Sequence, residues 1–134
     1  MLLNKNINLL VVHCSDTKNN QNLSAIDIHK MHLGFGWDGI GYHKIIRRSG
    51  EIENGRPEYW IGAHVKGKND ISLGVCLIGR DKFTKKQYIS LKRILKKWKK
   101  VYPNAKIVGH RDTGNTKKSC PNFDVISWSK NIFA

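Results

Sequence analysis

Apolar residues occur along the chain in short runs, separated by segments with helical periodicity. Residues 7–13 (INLLVVH) are rich in β-branched side chains and predict a strand that is buried on both faces. Residues 73–78 (LGVCLI) predict a second buried strand, and residues 106–109 (KIVG) predict a short third one. The strand-like runs 43–48 and 51–53 flank a Ser-Gly pair, which indicates a hairpin with a two-residue turn.

Three further segments have the features of helices. Ser24 is a suitable N-cap for a helix over 25–33, and Asp27 completes a capping box. Thr84 precedes the clearest helix, whose apolar positions recur at alternating spacings of three and four: Tyr88, Leu91, Leu95, Trp98 and Tyr102. Asp124 is a suitable N-cap for a last helix that continues through Trp128. Strands interleaved with helices predict an α/β (α+β) fold, with a mixed central β-sheet flanked by helices.

The length of 134 residues favours a single domain over residues 1–134. The chain has neither an apolar stretch of signal-peptide length nor a run approaching the ~20 apolar residues of a membrane span. We therefore expect a protein without a transmembrane segment or signal peptide, made in the cytoplasm. The three cysteines are an odd number in such a chain, which favours free thiols or metal ligands over a disulfide framework.

The charge is strongly positive, since 24 Lys and Arg against 10 Asp and Glu give +14. This charge favours anionic partners, among them nucleic acids, anionic lipids and cell-wall polymers. The alternative is that the charge serves only to keep the protein soluble. Many of the lysines lie in segment 84–100, where a solvated face of an amphipathic helix is the commoner explanation. Because the chain has no zinc-finger spacing, RNP-type aromatic motif or helix-turn-helix signature, we expect no stable nucleic-acid complex.

Candidate metal ligands stand where two of the predicted strands end. His13 ends the first strand and His110 follows the strand 106–109, so both side chains are expected at one edge of the sheet. Cys120 comes shortly afterwards. Two imidazoles and a thiolate suit a tetrahedral zinc ion and leave the fourth position for water, as in catalytic zinc sites. The alternative is that these are ordinary core or surface residues, because six histidines supply some such pairing by chance.

Six sequence blocks in a compatible order bear on this choice. They are VVHCSDT (11–17), GIGYHKIIRRSGEIENGRPE (39–58), IGAHVKGKN (61–69), SLGVCLIG (72–79), IVGHRD (107–112) and KKSCPNFDV (117–125). Together they resemble the type 2 N-acetylmuramoyl-L-alanine amidase family, especially the short phage endolysins. Peptidoglycan recognition proteins share that fold. The blocks extend over nearly the whole chain, so the resemblance implies one amidase domain.

The resemblance also implies roles for individual residues. The family's zinc ligands fall on the same two histidines and cysteine that ligand chemistry suggests, which implies one Zn²⁺ per chain. A tyrosine that assists the chemistry in the family corresponds to Tyr42, and a lysine with a similar role corresponds to Lys118. His64 matches a position that lines the substrate cleft, so we expect it to contact substrate.

The resemblance implies that the chain hydrolyses the amide that joins the lactyl group of N-acetylmuramic acid to L-alanine in peptidoglycan. A phage endolysin that acts on the wall after release through the membrane is the simplest context. One alternative is a non-catalytic peptidoglycan binder, although such proteins lose the cysteine ligand that this chain keeps. Another is additional regulatory binding to a phage RNA polymerase, as in some short phage members. We expect a monomer.

Overall fold

A computed structural model describes residues 6–114 and 119–133, which contain a five-stranded sheet. Its strands are β1 (Leu9–Cys14), β2 (Lys44–Ile46), β3 (Ile52–Asn54), β4 (Ser72–Leu77) and β5 (Lys106–Gly109). They are ordered β3-β2-β4-β1-β5 across the sheet. Strand β3 is antiparallel to β2, whereas the other neighbours are parallel. The predicted mixed sheet is therefore confirmed.

The two central strands, β1 and β4, are buried on both faces. The side chains of Leu10, Val12, Leu73 and Val75 have no exposed surface. The sequence of such a strand is a continuous run of apolar residues, because helices cover both faces of a parallel sheet. All three buried strands that the sequence predicts are present, with small shifts at their ends. They were predicted over residues 7–13, 73–78 and 106–109.

Three helices complete the fold: α1 (Ala25–Gly34), α2 (Lys85–Val101) and α3 (Val125–Ile132). Ser24 and Thr84 cap the first two through capping boxes, as predicted. Asp124 caps α3, which continues beyond the predicted end at residue 128. Among the residues with described coordinates, no helix has the length and apolar character needed to cross a bilayer.

The hairpin between β2 and β3 has a longer connection than predicted. The amide of Gly50 donates to the carbonyl of Arg47 at 2.8 Å, and the amide of Arg47 donates to the carbonyl of Glu51 at 2.9 Å. The prediction of a two-residue turn is therefore wrong. The start of α2 holds the larger turn, since the Thr84 hydroxyl donates to the carbonyl of Arg48 at 2.8 Å.

The helices divide between the two faces of the sheet. Leu91, Leu95 and Trp98 of α2 are buried in the main core, which α3 completes through Val125. The lysine-rich positions of α2 are mostly exposed. On the other face, α1 packs through Ile28 against a smaller cluster. The functional site lies on this second face, at the carboxyl ends of β1 and β5.

Candidate metal and active site

The structure brings together the three predicted metal ligands. His13 lies near the end of β1, and His110 begins the short 3₁₀ helix that directly follows the neighbouring parallel strand β5. Cys120 lies in the loop before α3. One ligand atom from each residue lies within 4.8 Å of the others, and the two imidazole centroids are 4.6 Å apart. The cluster is therefore compact enough for the three side chains to bind one ion.

Backbone contacts fix the position of Cys120. Its Sγ accepts the backbone N–H of Cys14 at 3.0 Å, and its carbonyl accepts the amide of Arg111 at 2.8 Å. The hydrogen bond to the Cys14 side chain and burial raise the pKa of the Cys120 thiol. A thiolate at this position therefore needs a nearby cation. The borderline-soft set of two imidazole nitrogens and one sulfur suits zinc, so the residues present fit that metal.

The 3₁₀ helix of His110 is held by its own hydrogen bonds. The Asp112 carboxylate accepts the amide of Gly109 at 2.8 Å, and the Thr113 hydroxyl donates to the His110 carbonyl at 2.8 Å. Asp112 thus stabilises the turn that presents His110.

His64 lines the cleft beside the metal cluster. Its Nδ1 lies 2.8 Å from Nε2 of His13, and its Nε2 lies 3.2 Å from the Ser72 hydroxyl. Burial lowers the pKa of His64 to about 3, and nearby His43 and His110 add to the shift. The imidazole is therefore neutral at physiological pH.

Tyr42 also lines the cleft, with its ring centroid 5.0 Å from that of His13. Burial raises the pKa of Tyr42 well above its usual range, with smaller contributions from Cys76 and two other thiols. The hydroxyl therefore keeps its proton and is a hydrogen-bond donor. Lys118, the second predicted catalytic residue, lies outside the described residues.

An open cleft of about 870 Å³ extends from the cluster to an aromatic rim. Phe35 and Trp37 form this rim, with 62% and 53% of their surface exposed. His32 connects the rim to the interior, because its ring centroid lies 4.8 Å from that of Trp37 and 5.5 Å from that of Tyr42. The sequence analysis did not identify this rim. Its signal was two aromatic residues next to glycines in the loop after the first helix.

Comparisons with known proteins identify the family. The family model described as N-acetylmuramoyl-L-alanine amidase matches residues 3–123. The endolysin of Enterobacteria phage K11 is 41% identical over 127 residues, which cover 89% of this chain and 83% of the relative. The endolysin of Escherichia phage T7 is 40% identical over 127 residues, with the same shares covered.

A solved structure agrees with these sequence matches. The N-acetylmuramoyl-L-alanine amidase LysC from Clostridium intestinale URNW superposes with a TM-score of 0.82 at 30% identity, covering 96% of this chain and 87% of that chain. The chain belongs to the N-acetylmuramoyl-L-alanine amidase family. The predicted family and fold class are confirmed.

Proposed function

We propose that the chain hydrolyses the amide between the lactyl group of N-acetylmuramic acid and L-alanine in peptidoglycan, using one zinc ion held by His13, His110 and Cys120. The observation that carries this proposal is the convergence of the three ligand atoms within 4.8 Å, beside an open cleft, in a chain of the amidase family. Three protein ligands leave a zinc position open for water or substrate, which is the arrangement of catalytic sites.

The reaction divides between the metal and the chain. Zinc, when bound, lowers the pKa of a coordinated water from its value in bulk toward about 7 and polarises a carbonyl oxygen. The protonated Tyr42 hydroxyl is the proposed hydrogen-bond donor toward the reacting amide. Lys118, whose role comes from the family resemblance, is proposed to place positive charge near the developing oxyanion, where one such donor is worth ~3 kcal/mol.

The biological setting that we propose is phage lysis. Two similar proteins are phage endolysins, and the net charge of +14 favours attraction to anionic polymers of the cell envelope. A phage RNA polymerase as a second partner, and the monomeric state, stay predictions from the sequence.

Mass-resolved analysis of the products from purified peptidoglycan tests the proposed reaction. We expect zinc-loaded protein to release peptides that begin with a free L-alanine amino group and to leave intact glycan strands. Protein stripped with a chelator should release none until zinc is restored. New reducing sugar ends or cuts within the peptide would contradict the proposal, and binding without release would support the non-catalytic alternative.

Replacing Tyr42 by phenylalanine tests its hydroxyl. We expect kcat to fall by about 100-fold, the lower range for loss of a positioned proton donor or oxyanion donor, while zinc affinity stays unchanged. Steady-state hydrolysis of a muropeptide and a zinc titration of the same preparation give both values. Full activity in this variant would show that the hydroxyl takes no part in the reaction.

A further inference from the structure

A chain of hydrogen bonds leads from the protein backbone to His13. The Ser72 hydroxyl lies 2.7 Å from the carbonyl of Lys68, which can only accept, so the single hydroxyl proton of Ser72 is donated there. The contact of 3.2 Å between Ser72 Oγ and His64 Nε2 must then be a hydrogen bond that His64 donates. Nε2 of His64 therefore carries a proton.

This assignment fixes the next link of the chain. A neutral imidazole with a proton on Nε2 has a lone pair on Nδ1, which makes His64 Nδ1 an acceptor. Its neighbour at 2.8 Å is Nε2 of His13, which must donate its proton. A neutral His13 that is protonated on Nε2 keeps the lone pair of its Nδ1 for another partner.

We propose that His64 is a positioning residue that holds His13 in the tautomer whose Nδ1 presents its lone pair to the metal. The proposal rests on the proposed zinc site. Metal-binding histidines generally donate their other N–H to an acceptor, which fixes the tautomer and the ring orientation. In this chain, the acceptor is the imidazole of His64, where a carboxylate or a backbone carbonyl is more usual.

The surroundings of His64 are shaped to keep the ring in place. The backbone amides of His64 and Val65 both donate to the Asn69 carboxamide at 2.8 Å. A Cβ added at Gly74 would lie 2.7 Å from His64 Nδ1, so the ring rests directly on the backbone of β4. A Cβ at Gly62 would lie 2.6 Å from another atom of the ring.

This role uses both nitrogens of His64. A hydrogen bond from His64 to substrate would require the contact with either His13 or Ser72 to break. The positioning role therefore predicts that losing His64 weakens metal binding even when no substrate is present.

A pair of variants separates the acceptor from the bulk of the side chain. His64→Asn places a carbonyl oxygen near the position of Nδ1, whereas His64→Leu fills similar space without an acceptor. Zinc affinity is measured by competition with a chromogenic chelator. We expect His64→Leu to bind zinc about 10–100-fold more weakly than the original chain, and His64→Asn to recover most of that loss. Ser72→Ala should weaken zinc binding in the same direction but less.

Nitrogen-15 NMR of the zinc-free, unsubstituted chain gives a second measurement that needs no variant to fold. We expect the proton of neutral His13 on Nε2. A proton on Nδ1, equal zinc affinity of His64→Asn and His64→Leu, or unchanged affinity in His64→Leu would each overturn the proposal. These measurements use no substrate, so they test the role of His64 separately from the proposed amidase activity. Failure of that activity would be seen only in the peptidoglycan assay.

Discussion

Replacing Cys120 by serine is expected to abolish tight zinc binding and, with it, the release of peptides from peptidoglycan. The sulfur is one of three protein ligands in the cluster, and a hydroxyl at the same position stays protonated and binds zinc poorly. The loss of affinity should exceed the ~10–100-fold that removal of an outer hydrogen-bond partner costs. Chelator competition and wall hydrolysis measure the two effects.

Cys76→Ala is the matched control for that experiment. Cys76 is also a buried free thiol, but it lies outside the metal cluster. We expect this variant to keep its zinc. Thermal denaturation of both variants checks that the fold persists. If Cys120→Ser bound zinc as tightly as the original chain, the assignment of the third ligand would fail.

Gly41→Ala should destabilise the protein and reduce its activity together. An added Cβ would lie 2.0 Å from the carbonyl oxygen of Ala63, a backbone atom that cannot rotate away. The amide of Ala63 also donates to the Gly41 carbonyl at 3.1 Å, so the two segments meet backbone to backbone. Their next residues are Tyr42 and His64, and separating the segments would displace both from the cleft.

We expect Gly41→Ala to lower the free energy of unfolding by about 1–3 kcal/mol or more, the usual cost of overpacking. Urea denaturation measures the loss, and the peptidoglycan assay measures activity. Gly34→Ala, at the end of α1, is the control, because nothing lies within 4 Å of its added Cβ. Equal urea midpoints for Gly41→Ala and Gly34→Ala would contradict the account.

Local patterns predicted most elements of the fold. Capping residues located the starts of all three helices, because caps depend on contacts within a few residues. The prediction of a two-residue turn after β2 was wrong, because contacts with the start of α2 hold a longer connection in place. One of these contacts is the hydrogen bond between Thr84 and Arg48. The strand order was not predicted, since it depends on pairing between segments far apart in sequence.

The candidate site was partly predictable for a similar reason. His13 and His110 lie at the carboxyl ends of neighbouring strands, so their proximity follows from the parallel pairing of β1 and β5. Cys120 was indicated mainly by the family resemblance. The contact between His64 and His13 joins residues 51 positions apart and depends on the absence of a side chain at Gly74. No pattern in the sequence predicts this contact.

The most direct test of the central claim is anomalous diffraction at the zinc absorption edge from crystals of the zinc-loaded chain. We predict one peak at bonding distance from Nδ1 of His13, from an imidazole nitrogen of His110 and from Sγ of Cys120, with a Zn–S distance of about 2.3 Å. A crystal without a peak at this cluster, or with zinc bound elsewhere, would contradict the account.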